Sequence, residues 1–153
     1  RSCRRAAHRT AQKVPIFAGM SQPCLLDTLA TGEHFTVQAG EAVFREGDMG
    51  NSFYVLIAGD VVVEKIRDGK PVELASLGPG ECFGEMALVG NEVRSATVRA
   101  TGALVAMRFY RELIDANPES ASAIYRNIAR ILAARLGESS LMLADLKKRD
   151  NVA

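Results

Sequence analysis

Over residues 33–108 the chain is a series of short apolar runs, each ended by a glycine-containing break, and from Pro118 onward only Gly137 interrupts a helical pattern. That contrast restricts the fold more than any other feature. Phe35 and Val37 alternate with polar neighbours, and residues 42–44 make a second short strand. Residues 46–52 are dense in turn formers. Residues 53–58 are strongly apolar and read as a buried strand, and Gly59-Asp60 turns the chain into 61–67. Asp68-Gly69 is a hairpin signal between that strand and 72–77. A last pair, 95–100 and 103–108, is joined at Thr101-Gly102. Several short strands with a turn at each break predict a mainly β, α+β domain. Its sheet is an antiparallel roll or jelly-roll barrel, not a parallel α/β sheet.

Helices flank this region. Residues 14–30 read as helical, with Ile16, Phe17, Met20, Leu25, Leu26 and Leu29 on one face, interrupted by Gly19 and Pro23. Ser21 is placed to cap the piece that begins at Gln22 and Pro23. A short helix over 110–116 ends at Asn117-Pro118, and a long one spans about 119–148. In it, Ala129, Leu132, Leu136, Ser139, Leu143 and Leu146 recur at alternating spacings of three and four, a heptad-like seam. Ile124, Ile128 and Ile131 form an offset stripe. Two stripes let the helix face the roll and a second helix at once, which predicts a homodimer through it. The alternative is one wide stripe packed on its own domain. The expected division is a basic tail or linker (1–13), the roll with flanking helices (14–116), and the long helix (117–153) as dimerisation or lid element.

Composition narrows the function. The 153 residues carry a net charge of +1, so no overall field recruits nucleic acid. Cys3, Cys24 and Cys82 are odd in number and widely spaced, which fits neither a disulfide framework nor a metal cluster and points to a reducing, cytoplasmic setting. No apolar run reaches the roughly 18 residues of a membrane span. The chain starts with Arg and stops at Ala153 after a basic tip of Lys147, Lys148 and Arg149. It reads as a fragment or processed piece, itself cytoplasmic or the cytoplasmic part of a larger protein, and it holds no element that could enter a major groove.

The chemistry is concentrated in Phe83-Gly84-Glu85-Met86-Ala87-Leu88 and Arg94-Ser95-Ala96-Thr97. A short helix beginning near Gly84 and Glu85 presents free N–H groups that attract an anion. Gly84 lets a ligand approach the backbone, and Ala87 keeps the first turn small. The Arg94 fork can hold two phosphate oxygens and stays charged at physiological pH. Glu85 would repel a phosphate and suits a sugar hydroxyl donor. Equally, Glu85 could serve the helix dipole, with Arg94 paired to Glu85 or Glu92 in a surface loop.

The stretch 80–88, followed by Arg94-Ser95-Ala96-Thr97-Val98, resembles the phosphate-binding cassette of the cyclic nucleotide-binding domain family. That family includes catabolite activator proteins, regulatory subunits of cyclic-AMP-dependent kinase and cyclic-nucleotide-gated channels. The resemblance implies a β-roll that binds a cyclic nucleotide and moves its C-terminal helices in response. It implies that Glu85 holds the ribose 2′-hydroxyl, that Arg94 holds the cyclic phosphate, and that the backbone around Gly84, Met86 and Ala87 assists. Phe83 and Ala96 complete the cassette, although Phe83, like Leu88 and Val98, reads as core more than as contact. Leu74 matches the strand position where family members pack the base. Ser95 bears on the choice of base and leans to cyclic AMP over cyclic GMP. Ala134-Arg135-Leu136-Gly137-Glu138-Ser139-Ser140 resembles a helix segment of the catabolite activators, which implies that Ser139 and Ser140 contact the base.

Other functions remain open: a cyclic-GMP-selective sensor, or a structural dimerisation domain with a vestigial cassette. A cupin-type metal oxygenase or isomerase on a similar barrel needs several His converging on a metal, and the chain has only His8 and His34. The expectation is therefore a binding module without metal, not an enzyme.

Overall fold

The computed structural model describes residues 11, 13–90 and 92–150, without the side chains of Ser139 and Asp150. The expected tail over 1–13 falls almost wholly outside those residues. Among the described residues, eight strands form two four-stranded antiparallel sheets: β1 (Glu33–Val37), β2 (Ala42–Phe44), β3 (Ser52–Ala58), β4 (Val61–Arg67), β5 (Lys70–Leu77), β6 (Cys82–Phe83), β7 (Thr97–Ala100) and β8 (Leu104–Tyr110). One sheet runs β1-β8-β3-β6 and the other β2-β7-β4-β5. The fold is the expected antiparallel roll, flanked by helices.

Period two decides which residue joins which core. On β3, Phe53 and Val55 face the helices, whereas Tyr54 and Leu56 face the interior between the sheets. On β8, Phe109 faces the helices and Leu104 and Ala106 face the roll interior. Both faces of β3 are thus covered, which explains its unbroken apolar run. The β4–β5 turn uses Asp68 and Gly69 with φ of 52° and 76°. Two successive positive φ values match the right-handed twist of a hairpin, and Asp-Gly tolerates them.

The N-terminal helical reading needs one correction. A 3-10 turn, Pro15–Phe17, is separated by Gly19 (φ 74°) from helix α1 (Gln22–Ala30). A positive φ at Gly19 cannot continue a right-handed helix. Ser21 caps α1, its Oγ accepting from the Cys24 N–H at 3.3 Å. After β8 come a short helix α2 (Arg111–Asp115) and the long helix α3 (Pro118–Asp150). Asn117 Oδ1 accepts from the Ser120 N–H at 3.3 Å and so caps α3.

The first half of α3 belongs to the core. Ile124 and Ile128 are fully covered beside Phe17, Leu25 and Phe109. Asn127, also buried, donates from Nδ2 to the carbonyls of Ile16 and Ala18, each at 2.9 Å. The 3-10 turn is therefore tied to the long helix as well as packed on it. Beyond Leu132 the helix leaves this core, and Leu136, Leu143 and Leu146 are exposed.

Candidate ligand-binding site

The cassette begins where β6 ends. Gly84 takes φ of 79°, which only glycine adopts cheaply, and Glu85–Leu88 follow as a single 3-10 turn. The turn lies against β3 and buries Glu85, Ala87 and Leu88, with Ala87 at 1% exposure, while Met86 is exposed. Its far end is pinned by Arg111 at the start of α2. Arg111 Nη1 donates to the Ala87 carbonyl at 3.3 Å, and Nη2 pairs with Glu92 Oε1 at 2.9 Å.

A second segment closes on it. The loop after β2 is stitched to residues 92–94: Gly50 N–H donates to Glu92 O, Arg94 N–H to Asp48 O, and Gly47 N–H to Arg94 O, at 2.7–2.8 Å. This clamp delivers Arg94 to the interior, where it is only 6% exposed. Its Nη1 donates to the Gly84 carbonyl at 3.0 Å and its Nη2 to the Ser52 carbonyl at 2.8 Å. Its Nε is buried without a hydrogen-bond partner among the described residues. Burial pushes the Arg94 guanidinium down from its ordinary value, with Tyr54 opposing and Arg108 adding to the effect. A guanidinium in this position still carries its charge.

Glu85 is 3% exposed and does not pair with Arg94. Its Oε1 accepts from Arg135 Nη1 of α3 at 2.5 Å, and Arg135 Nη2 also reaches the Cys82 carbonyl at 3.4 Å. The pairing of Arg94 with Glu85 or Glu92, open on sequence grounds, is thus not adopted: Arg135 and Arg111 take the two carboxylates.

These groups wall one cavity of about 240 Å3. Gly84, Glu85, Met86, Ala87, Arg94, Ser95 and Ala96 all line it, as does Phe83. An acid and a base meet there among apolar side chains, including Phe44, Val63 and Val98. The arrangement can take a ligand with a hydroxyl at one end, an anion at the other and an apolar plane between.

Leu74 and Ser140 lie elsewhere. Leu74 is 53% exposed, and Ala75 and Leu77 of the same strand line the cavity instead. The pairing slips at this point: Glu64 opposes Glu73 while Val63 opposes Ala75, so Leu74 is the extra residue of a bulge. A bulge reverses the inside–outside order that strand position alone suggests. Ser140 is exposed on α3, beyond Arg135 and away from the cavity lining. The Ser139 side chain lies outside the described residues.

Arg135 and Phe44 were not anticipated as site residues. Arg135 sits in the helix segment singled out by resemblance, but its contact lies 50 residues back in the chain. Cys82, beneath Arg135, is buried and its thiol is pushed up to about 12, chiefly by burial and then by Glu85. It is a packing residue without thiolate character. Among the described residues no three His, Cys, Asp or Glu side chains gather as metal ligands, and no helix is long and apolar enough to cross a membrane.

The profile of the cyclic nucleotide-binding domain matches residues 34–123. A cAMP-dependent protein kinase regulatory subunit from Mycosarcoma maydis is 37% identical over 59% of this chain and 17% of its own length. Glutaminase 2 from Bradyrhizobium diazoefficiens is 44% identical over 71% of this chain and also 17% of its own length. The crystal structure of the Thermus thermophilus catabolite activator protein superposes with a TM-score of 0.78 at 31% identity. That match covers 87% of this chain and 63% of the other. The chain therefore spans about a sixth of the first two relatives.

Proposed function

Because the chain belongs to the cyclic nucleotide-binding domain family, we propose that it is a regulatory module whose cassette binds cyclic AMP in preference to cyclic GMP. Family members are regulatory cyclic-nucleotide binders. The observation that carries the reading is the buried pair of Glu85 and Arg94 on one cavity, each held by other groups and neither neutralising the other. Arg94 takes the cyclic phosphate by charge-assisted hydrogen bonds, Glu85 takes the ribose 2′-hydroxyl, and the backbone from Gly84 to Ala87 supports the phosphate. Ser95, exposed at the cavity, offers its hydroxyl near the base. Calorimetric titration with each nucleotide tests this: binding of cyclic AMP tighter than cyclic GMP is expected. Absence of binding by both below the millimolar range overturns the proposal.

The link to the helices runs through Arg135. A ribose hydroxyl on Glu85 must share or displace the Arg135 contact, so ligand and helix position influence each other. A ligand shifts such an equilibrium only through different affinities for the two arrangements. In the Arg135→Ala protein, backbone amides of 133–150 are expected to exchange about fivefold faster, the scale of one half-exposed ion pair. Hydrogen exchange followed by mass spectrometry measures it, and unchanged exchange removes Arg135 from the link.

The exposed Leu136, Leu143 and Leu146 suit a second copy of the chain through the heptad-like seam. Light scattering should then return twice the 16.5 kDa chain mass, and the mass of one chain at all concentrations rejects that pairing.

A further inference from the structure

Arg94 is seated by a second set of residues that the cassette does not contain. Its Cζ lies 4.1 Å from the centroid of the Phe44 ring. Phe44 is on β2, opposite Val98 of β7, and the pairing is irregular between Ala42 and Phe44. Irregular pairing of this kind re-aims a strand side chain. Its ring is held in turn by Tyr54 at 6.0 Å and Phe83 at 5.9 Å, which stack on each other at 5.1 Å. Phe44 also lines the cavity.

Ser52 holds the other side. It is fully buried, and its carbonyl accepts from Arg94 Nη2. Its hydroxyl oxygen accepts from the same Nη2 at 3.4 Å and from Arg108 Nε at 3.2 Å. Arg108 is itself fixed over Tyr110, its Cζ 4.7 Å from the ring centroid. Space matters too: a Cβ on Gly50 would lie 2.4–2.5 Å from the Arg94 guanidinium, so that position must stay bare.

We infer that Phe44 and Ser52 are positioning residues that preset Arg94 for the anionic part of the ligand. The ring face attracts the cation without using any of its N–H groups. Ser52 fixes the roll of the fork. The Nε stays buried, without a hydrogen-bond partner among the described residues. Since Arg94 need not be ordered when the ligand arrives, the binding free energy is not spent on arranging it. The inference rests on the phosphate reading of Arg94, but the seat itself can be tested without a nucleotide.

Two readouts separate the questions. In the free protein, the Nε–H NMR signal of Arg94 is identified by its loss in Arg94→Lys. It should be displaced by the Phe44 ring current and move back in Phe44→Leu. An identical shift in wild type and Phe44→Leu overturns the seat, whatever the protein binds. Calorimetry with cyclic AMP then reads the consequence. Phe44→Leu should bind about tenfold more weakly, with Phe44→Tyr or Phe44→Trp within about threefold of wild type. Ser52→Ala, the milder change, should bind about threefold more weakly. Wild-type affinity in both Phe44→Leu and Ser52→Ala, or no recovery by either aromatic replacement, overturns the positioning role. Failure of wild type to bind cyclic AMP overturns the functional reading instead, and the NMR comparison still decides the seat.

Discussion

Replacing Arg94 by Ala should weaken cyclic AMP binding about a hundredfold. The guanidinium is buried at the cavity wall, and it would form charge-assisted hydrogen bonds of roughly 1.5–3 kcal/mol each with the phosphate. Losing about 3 kcal/mol is a hundredfold in affinity. The variant also strips the Gly84 and Ser52 carbonyls of their donor, so part of the change is local rearrangement. Arg94→Lys separates the two effects, because it keeps the charge and loses the planar fork. Calorimetry on both variants, with circular dichroism melting as a fold control, makes the measurement. A folded Arg94→Ala protein with wild-type affinity would remove Arg94 from the phosphate role.

Phe109→Ala should be the costlier change for stability. Phe109 is fully buried on β8, stacked on Phe53 at 5.1 Å and edge-on to Phe17 at 5.6 Å. It therefore joins the roll to the N-terminal turn, the same turn that Asn127 ties to α3. A buried Phe→Ala change costs about 3–5 kcal/mol, from lost transfer energy and the cavity left behind. The whole stability of a domain this size is about 5–15 kcal/mol. Urea titration should show a much lower midpoint with a similar slope. A loss under about 1 kcal/mol would mean that the helices and the roll are not held together at this ring.

All strands but β6 were legible because each of them carries its own pattern. Residues 61–67 coincide with β4, and 42–44 with β2. Asp68-Gly69 marked its hairpin and Ser21 its helix cap, since both signals act within four residues. The two-residue β6 was missed because nothing local defines it. Cys82 and Phe83 are a strand only through pairing with Val55 and Tyr54. The 3-10 turn before α1 was read as helix because its apolar spacing is helical, whereas the Gly19 backbone is not.

Much of the candidate site was legible as one continuous run. Residues 83–87 and 94–96 do share a cavity, because a tight turn and the loop clamp bring near neighbours in sequence together. The remaining walls come from far away. Phe44 and Ser52 precede Arg94 by 50 and 42 residues, and Arg135 follows Glu85 by 50. Leu74 falls outside the cavity lining for the same reason: its side depends on a slip in pairing with β4 that its own strand does not encode.

The amino-acid order alone therefore determined the class of fold and the composition of the cassette, because period, turn chemistry and a short motif act over a few bonds. The tertiary structure decided which charge meets which. It paired Glu85 with a cation on the long helix, set Arg94 against an aromatic ring and two carbonyls, and kept the two opposite charges from forming an ion pair with each other. Those pairings depend on distances of a few ångströms between segments tens of residues apart, and only packing sets such distances.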